Sequence, residues 1–216
     1  MIDSIKGSFG WVLLLIAIVG DFIVPYILAI FYKGYSHKTM VMSSLGNPSS
    51  PVRGYYNIWL ICLGALLSIS TLTLYRSYSK TSKVLSASVV TLIIVFAIGA
   101  GILSGIFSVN ESKDVQTVAS QIHGFGAAIG FMALLFVPML LGILSFKSKD
   151  NVTGVICLIS FVFALIFFIL FIMADKPEFN NTIIANEGLW QRLTLLFMYV
   201  PFGYIAIKNI IEITYN

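Results

Sequence analysis

Long apolar stretches alternate with short polar connections along this chain, and the alternation repeats six times. The apolar stretches cover residues 9–32, 55–75, 84–107, 118–146, 152–174 and 189–211. Each meets the requirement of about 20 mostly apolar residues for a helix that crosses a hydrocarbon layer of roughly 30 Å. Helices are the expected form, because a backbone exposed to lipid must satisfy its own hydrogen bonds and the strand alternation of a barrel is missing. The pattern therefore predicts an all-α polytopic membrane protein, one domain over residues 1–216, with six transmembrane helices in one bundle. The fourth stretch is the longest and is expected to tilt, overhang or bend near Pro138. The first is too long for the core of a signal peptide and lacks a small-residue cleavage site, so it is read as a retained span.

Composition strengthens this reading. Of the 216 residues 58% are hydrophobic and 10% charged, against roughly 25% charged in a soluble domain. The net charge of +4 comes from 13 Lys and Arg set mostly in the connections, a pattern of membrane insertion, and no nucleic-acid motif is present. Lys6, Arg76, Lys80, Lys83, Lys147, Lys149 and Lys208 fall on one side. Lys33, Lys38, Arg53, Lys113, Lys176 and Arg192 fall on the other, where Glu111, Asp114, Asp175, Glu178 and Glu187 offset them. That small bias puts both termini in the cytoplasm, in a multi-pass protein of the cell membrane. Cys62 and Cys157 sit in apolar runs towards opposite faces, which argues against a disulfide between them.

Small residues mark where helices approach closely in lipid. Ala97, Gly101 and Gly105 recur every four residues in the third span, and Gly126 and Gly130 in the fourth. These stripes predict close packing of the two spans or contact with a partner, in a homo- or hetero-oligomer. The fifth span carries bulky groups on every side and is expected to face lipid.

Polar residues inside the spans are few, and each is costly enough to need a reason. Asp21 lies eleven residues before the outer end of the first span, roughly 16 Å deep at about 1.5 Å per residue. The others gather towards the outer surface: Asn47 in the first outer loop, Asn57 entering span two, Ser104 and Asn110 at the end of span three, Gln121 and His123 opening span four, and Glu187, Gln191 and Arg192 opening span six. This convergence from separate helices predicts one outward-facing pocket. Asn47, Asn57, Asn110, Gln121, His123, Glu187 and Arg192 are its candidate ligand-binding residues, and His123, Asp21 and Ser104 its candidate reactive groups.

Each has a structural alternative. Asp21 could be a buried acid held by hydrogen bonds from neighbouring helices, His123 could bond a backbone carbonyl, and Arg192 could snorkel to the interface or pair with Glu187. Tyr199, on the face of Arg192, fits aromatic packing better than chemistry. No metal or cofactor is expected: only His37 joins His123 as an imidazole, and neither an H-E-x-x-H nor a G-x-S-x-G motif occurs.

Taken in order, Ser44-Leu45-Gly46-Asn47-Pro48 with Tyr55-Tyr56-Asn57, the Gly105-Ile106-Phe107 exit of span three, His123-Gly124, and Gly188-Leu189-Trp190-Gln191-Arg192 resemble the prokaryotic membrane family known as domain of unknown function 998. A more distant likeness is to eukaryotic six-span proteins of the damage-regulated autophagy modulator type, which also carry a His at the start of span four. The resemblance implies the six-span fold and draws attention to Asn47, Asn57, His123 and Arg192, but it implies no activity. Four readings follow. The first is binding or handling of a lipid or other amphiphile, with Arg192, Lys38 and Arg53 available to an anionic head. The others are a proton-coupled transporter using Asp21 and His123, an intramembrane hydrolase with His123 as base and Ser104 or water as nucleophile, and an accessory subunit of a larger membrane partner.

Overall fold

The computed structural model describes residues 2–110 and 116–215. Glu111, Lys113 and Asp114, used above to compare the two sides, lie outside them. Among the described residues, six helices are long and apolar enough to cross a membrane: α1 Ile2–Ala29, α2 Arg53–Tyr78, α3 Lys83–Ile106, α4 Val118–Lys147, α5 Asn151–Ala174 and α6 Glu187–Tyr215. No strand occurs among the described residues. The chain is therefore an all-helical, multi-pass membrane protein. Each helix packs antiparallel against the next, and α6 returns to α1, so the six form a closed ring. The end where α1, α3 and α5 finish and α2, α4 and α6 begin is termed the upper end below.

Close backbone approach between α2, α3 and α4 follows from glycine. A side chain on Gly99 would strike the Gly126 carbonyl, one on Gly101 would lie 3.0 Å from the Gly64 Cα, and one on Gly130 would lie 3.1 Å from the Ala100 nitrogen. The stripes seen in the sequence thus bring α3 against both neighbours within the chain. α3 also widens into a π-helical segment over Ala97–Leu103. The Ser104 hydroxyl donates to the Gly99 carbonyl at 3.0 Å there, at the edge of the widened turns.

α4 breaks at Phe136, between Val118–Leu135 and Val137–Lys147. Pro138 explains the place: it has no N–H for the Leu134 carbonyl, and its ring crowds that carbonyl. The consequence reaches the site. Below the break α4 packs closely on α5, whereas above it the two helices barely touch. α5 is the least buried span, in line with its bulky surface.

The lower end is tied by charge. Asp150 caps α5, accepting from the Thr153 amide at 3.3 Å, from the Thr153 hydroxyl at 2.5 Å and from Lys208 of α6 at 2.6 Å. Burial pushes the Asp150 carboxyl up, but the bonds from Lys208 and Thr153 outweigh it and hold the group below the usual aspartate range. A lowered carboxyl contributes stability that is present above the unfolded value and lost as pH falls through the folded one. Asp150→Asn keeps a capping side chain but removes the charge. The thermal midpoint in detergent should therefore drop at pH 7, and the gap from the native protein should close below about pH 4. A gap that stays constant from pH 7 to pH 3 would contradict the ion pair.

Candidate functional site

Asp21 lies eight residues before the end of α1 at Ala29, so roughly 12 Å below the upper end. Pro25 stands one turn above it inside the helix and removes the amide that would otherwise bond the Asp21 carbonyl. Asp21 is 3% exposed, and its carboxyl oxygens accept from the Tyr199 hydroxyl at 2.9 Å and the Trp59 indole at 3.4 Å. Partners from α2 and α6 thus fix the acid between helices. Tyr199, expected to be only a packing residue, is its closest donor.

His123, in the second turn of α4, is buried and bonds the Phe107 carbonyl through Nδ1 at 2.8 Å. A carbonyl only accepts, so the neutral ring carries its proton on Nδ1 and keeps a lone pair on Nε2. Asp21, Ser104, His123 and Gln191 line one small chamber of about 60 Å³ in the middle of the ring. That space is enough for a few water molecules. Ser104 donates to Gly99 rather than to His123, so the two do not form a nucleophile and base pair in this arrangement.

Beside this chamber, and sharing Ser43, His123, Gln191, Ala127 and Phe131 with it, lies a larger cavity of about 550 Å³. This is within the roughly 300–1,000 Å³ of small-molecule sites. It occupies the gap that opens between α4 and α5 above the break at Phe136. Two stripes at helical spacing wall it: Gly124, Ala127, Ala128, Phe131 and Met132 on α4, and Phe168, Phe171 and Ile172 on α5, with Asp175 just past its end. Asn110, Glu187 and Gln191 join His123 as polar lining. The Gln191 side-chain oxygen accepts from the Met42 amide at 2.7 Å, which fixes the side chain against the short 3₁₀ helix Met42–Gly46.

The remaining candidates have other surroundings. Asn47 donates to the Tyr32 hydroxyl at 3.3 Å, Asn57 to Ser108 at 3.1 Å, and Gln121 to Gln116 at 3.3 Å. Asn110 both lines the cavity and donates to Ser120 at 3.1 Å. Arg192 turns away, donating to the carbonyls of His37, Met40 and Gly188 at 2.9, 3.1 and 2.8 Å and to the Tyr35 hydroxyl at 2.6 Å. Its place is under the connection between α1 and α2, which it pins to α6. Arg53 bonds Ser108 at 3.2 Å. None of Arg192, Lys38 and Arg53 lines the 550 Å³ cavity.

Sequence reasoning missed the α5 wall. Residues 168, 171, 172 and 175 recur at the spacing of one helix face, and that face ends in an acid, which distinguishes it from the rest of an otherwise uniform span.

The family described as "Protein of unknown function (DUF998)" matches residues 15–208. The chain belongs to this family. The match runs from within α1 almost to the end of α6, so the family's extent includes all six spans and every wall of both chambers. No curated protein and no solved structure matches the chain, and the likeness to damage-regulated autophagy modulators stays one of pattern.

Proposed function

We propose that this family member binds or handles an amphiphile in the cell membrane, taking it sideways from the bilayer through the gap between α4 and α5. The observation that carries the reading is the 550 Å³ cavity itself. One part of its lining is aromatic and aliphatic, and the other is hydrogen-bonding. An apolar tail fits between Phe131 and the Phe168, Phe171 and Ile172 stripe, with the polar head towards His123, Gln191 and Asn110. With both termini cytoplasmic, as the distribution of Lys and Arg favours, the cavity faces the outer leaflet. His123 offers Nε2 as an acceptor for a hydroxyl or amide of the head, and Gln191 is held in place by Met42.

Native mass spectrometry of the protein purified in mild detergent tests the reading. A single retained species of lipid-like mass is expected, lost on delipidation and regained on addition of membrane extract. Protein that carries only detergent and regains nothing would overturn it.

A second reading, proton-coupled transport, is favoured by one observation: Asp21 and His123 line the same small chamber. Uptake into proteoliposomes that ignores a pH gradient would remove it.

A further inference from the structure

α6 borders a second cleft on its α1 side. Near the upper end the two helices part over about 480 Å³, walled by Phe22, Tyr26, Leu193 and Leu196, with exposed Lys38 and buried Arg192 also lining it. The charge balance of this cleft is unusual. Every hydrogen bond of the Arg192 guanidinium goes to a neutral group, three carbonyls and the Tyr35 hydroxyl. Burial pushes the Tyr35 hydroxyl above the usual tyrosine range even against the pull of Arg192, so it remains a phenol. His37 stacks on Tyr26 with ring centroids 4.1 Å apart. Burial, and then Arg192, hold it below the usual histidine value, so it adds no charge at neutral pH.

No carboxylate among the described residues pairs with Arg192, whose Nε is buried without a partner, as is Nδ1 of His37. Beyond the neutral oxygens that accept from it, the guanidinium has only aromatic faces near it, 6.0 Å to the Tyr26 ring centre and 5.9 Å to that of Tyr35. A buried cation with no anion is costly, because the low-dielectric surroundings leave its field unscreened. That field extends into an apolar cleft with a second cation, Lys38, beside it.

We propose that this cleft binds an anionic phospholipid from the surrounding leaflet. The phosphate lies at Lys38, close over the Arg192 guanidinium, and an acyl chain runs along Phe22, Leu193 and Leu196. The apolar walls select a lipid over free phosphate, and the two cations select an anionic head over a zwitterionic one. The site is separate from the amphiphile cavity and stands whether or not that cavity is occupied.

Native mass spectrometry of the full chain, exposed to equimolar phosphatidylglycerol and phosphatidylcholine with identical chains, tests this. Phosphatidylglycerol should be retained at least about fivefold over phosphatidylcholine, the preference expected of each basic residue near an anionic head. Lys38→Gln should reduce that ratio by about fivefold and Lys38→Glu should abolish it. Leu196→Trp, which obstructs the apolar wall, should lower retention, while Ile159→Trp on the exposed face of α5, which lines neither cavity, should leave the ratio unchanged. Thermal midpoints equal to the native one show that Lys38 variants are folded. A native ratio near one, a ratio indifferent to Lys38, or displacement of the lipid by millimolar inorganic phosphate would overturn the proposal.

Discussion

Replacing Arg192 with methionine is expected to destabilise the protein by about 3 kcal/mol or more, the largest loss from any single side chain described above. Four hydrogen bonds disappear together, and the carbonyls of His37, Met40 and Gly188 lose a charged donor. The Gly188 backbone packs so closely beneath this connection that a side chain there would strike the Met40 carbonyl, and the Leu189 amide reaches the Lys38 carbonyl at 2.9 Å. Those backbone contacts depend on the connection lying where Arg192 holds it. Arg192→Lys should recover only part of the loss, since an ammonium group cannot reproduce the planar fork that reaches the carbonyls and Tyr35 at once. Thermal unfolding in detergent measures both, with exposed Arg76→Gln as a control expected within about 0.5 kcal/mol of native. An Arg192→Met protein as stable as that control would show that the connection is held by something else.

Ala127→Trp is expected to abolish amphiphile retention while leaving the fold intact. Ala127 lines both the central chamber and the larger cavity, so an indole there occupies the space where the two meet. Stability and binding move separately in this experiment. In a packed interior the added bulk would cost about 1–3 kcal/mol in strain, whereas in a real hollow it is accommodated, and the thermal midpoint should hold. Retention should fall at least tenfold. His123→Gln, which keeps hydrogen bonding but changes its geometry, should fall by roughly tenfold or less, the scale of one hydrogen bond. A sharp drop in midpoint without loss of retained mass would mean that the cavity is not the binding site.

The six spans were legible because lipid imposes a single coarse rule, length and apolarity, that local sequence satisfies by itself. The break in α4 was also legible, since Pro138 removes a specific backbone bond. What polar residues do was harder to read, because their partners come from distant parts of the chain. Arg192 illustrates this: its sequence neighbours suggested a pair with Glu187, but its guanidinium bonds the carbonyls of residues 37 and 40. Asp21 needed Trp59 and Tyr199 to define it, and neither partner is near it in sequence. The α5 wall escaped notice because apolar residues facing a cavity and apolar residues facing lipid have the same composition. Only the divergence of α4 from α5 separates them.

Photo-methionine at Met132 provides the most direct test that the gap between α4 and α5 holds an amphiphile. Met132 lines the cavity, whereas Met139, seven residues further down the same helix, does not. After irradiation in native membranes, peptides containing Met132 should carry one discrete lipid-like adduct, enriched over the bulk lipids captured at Met139. Adducts at Met132 that mirror the bulk lipid mixture, in the same proportions as at Met139, would contradict the account.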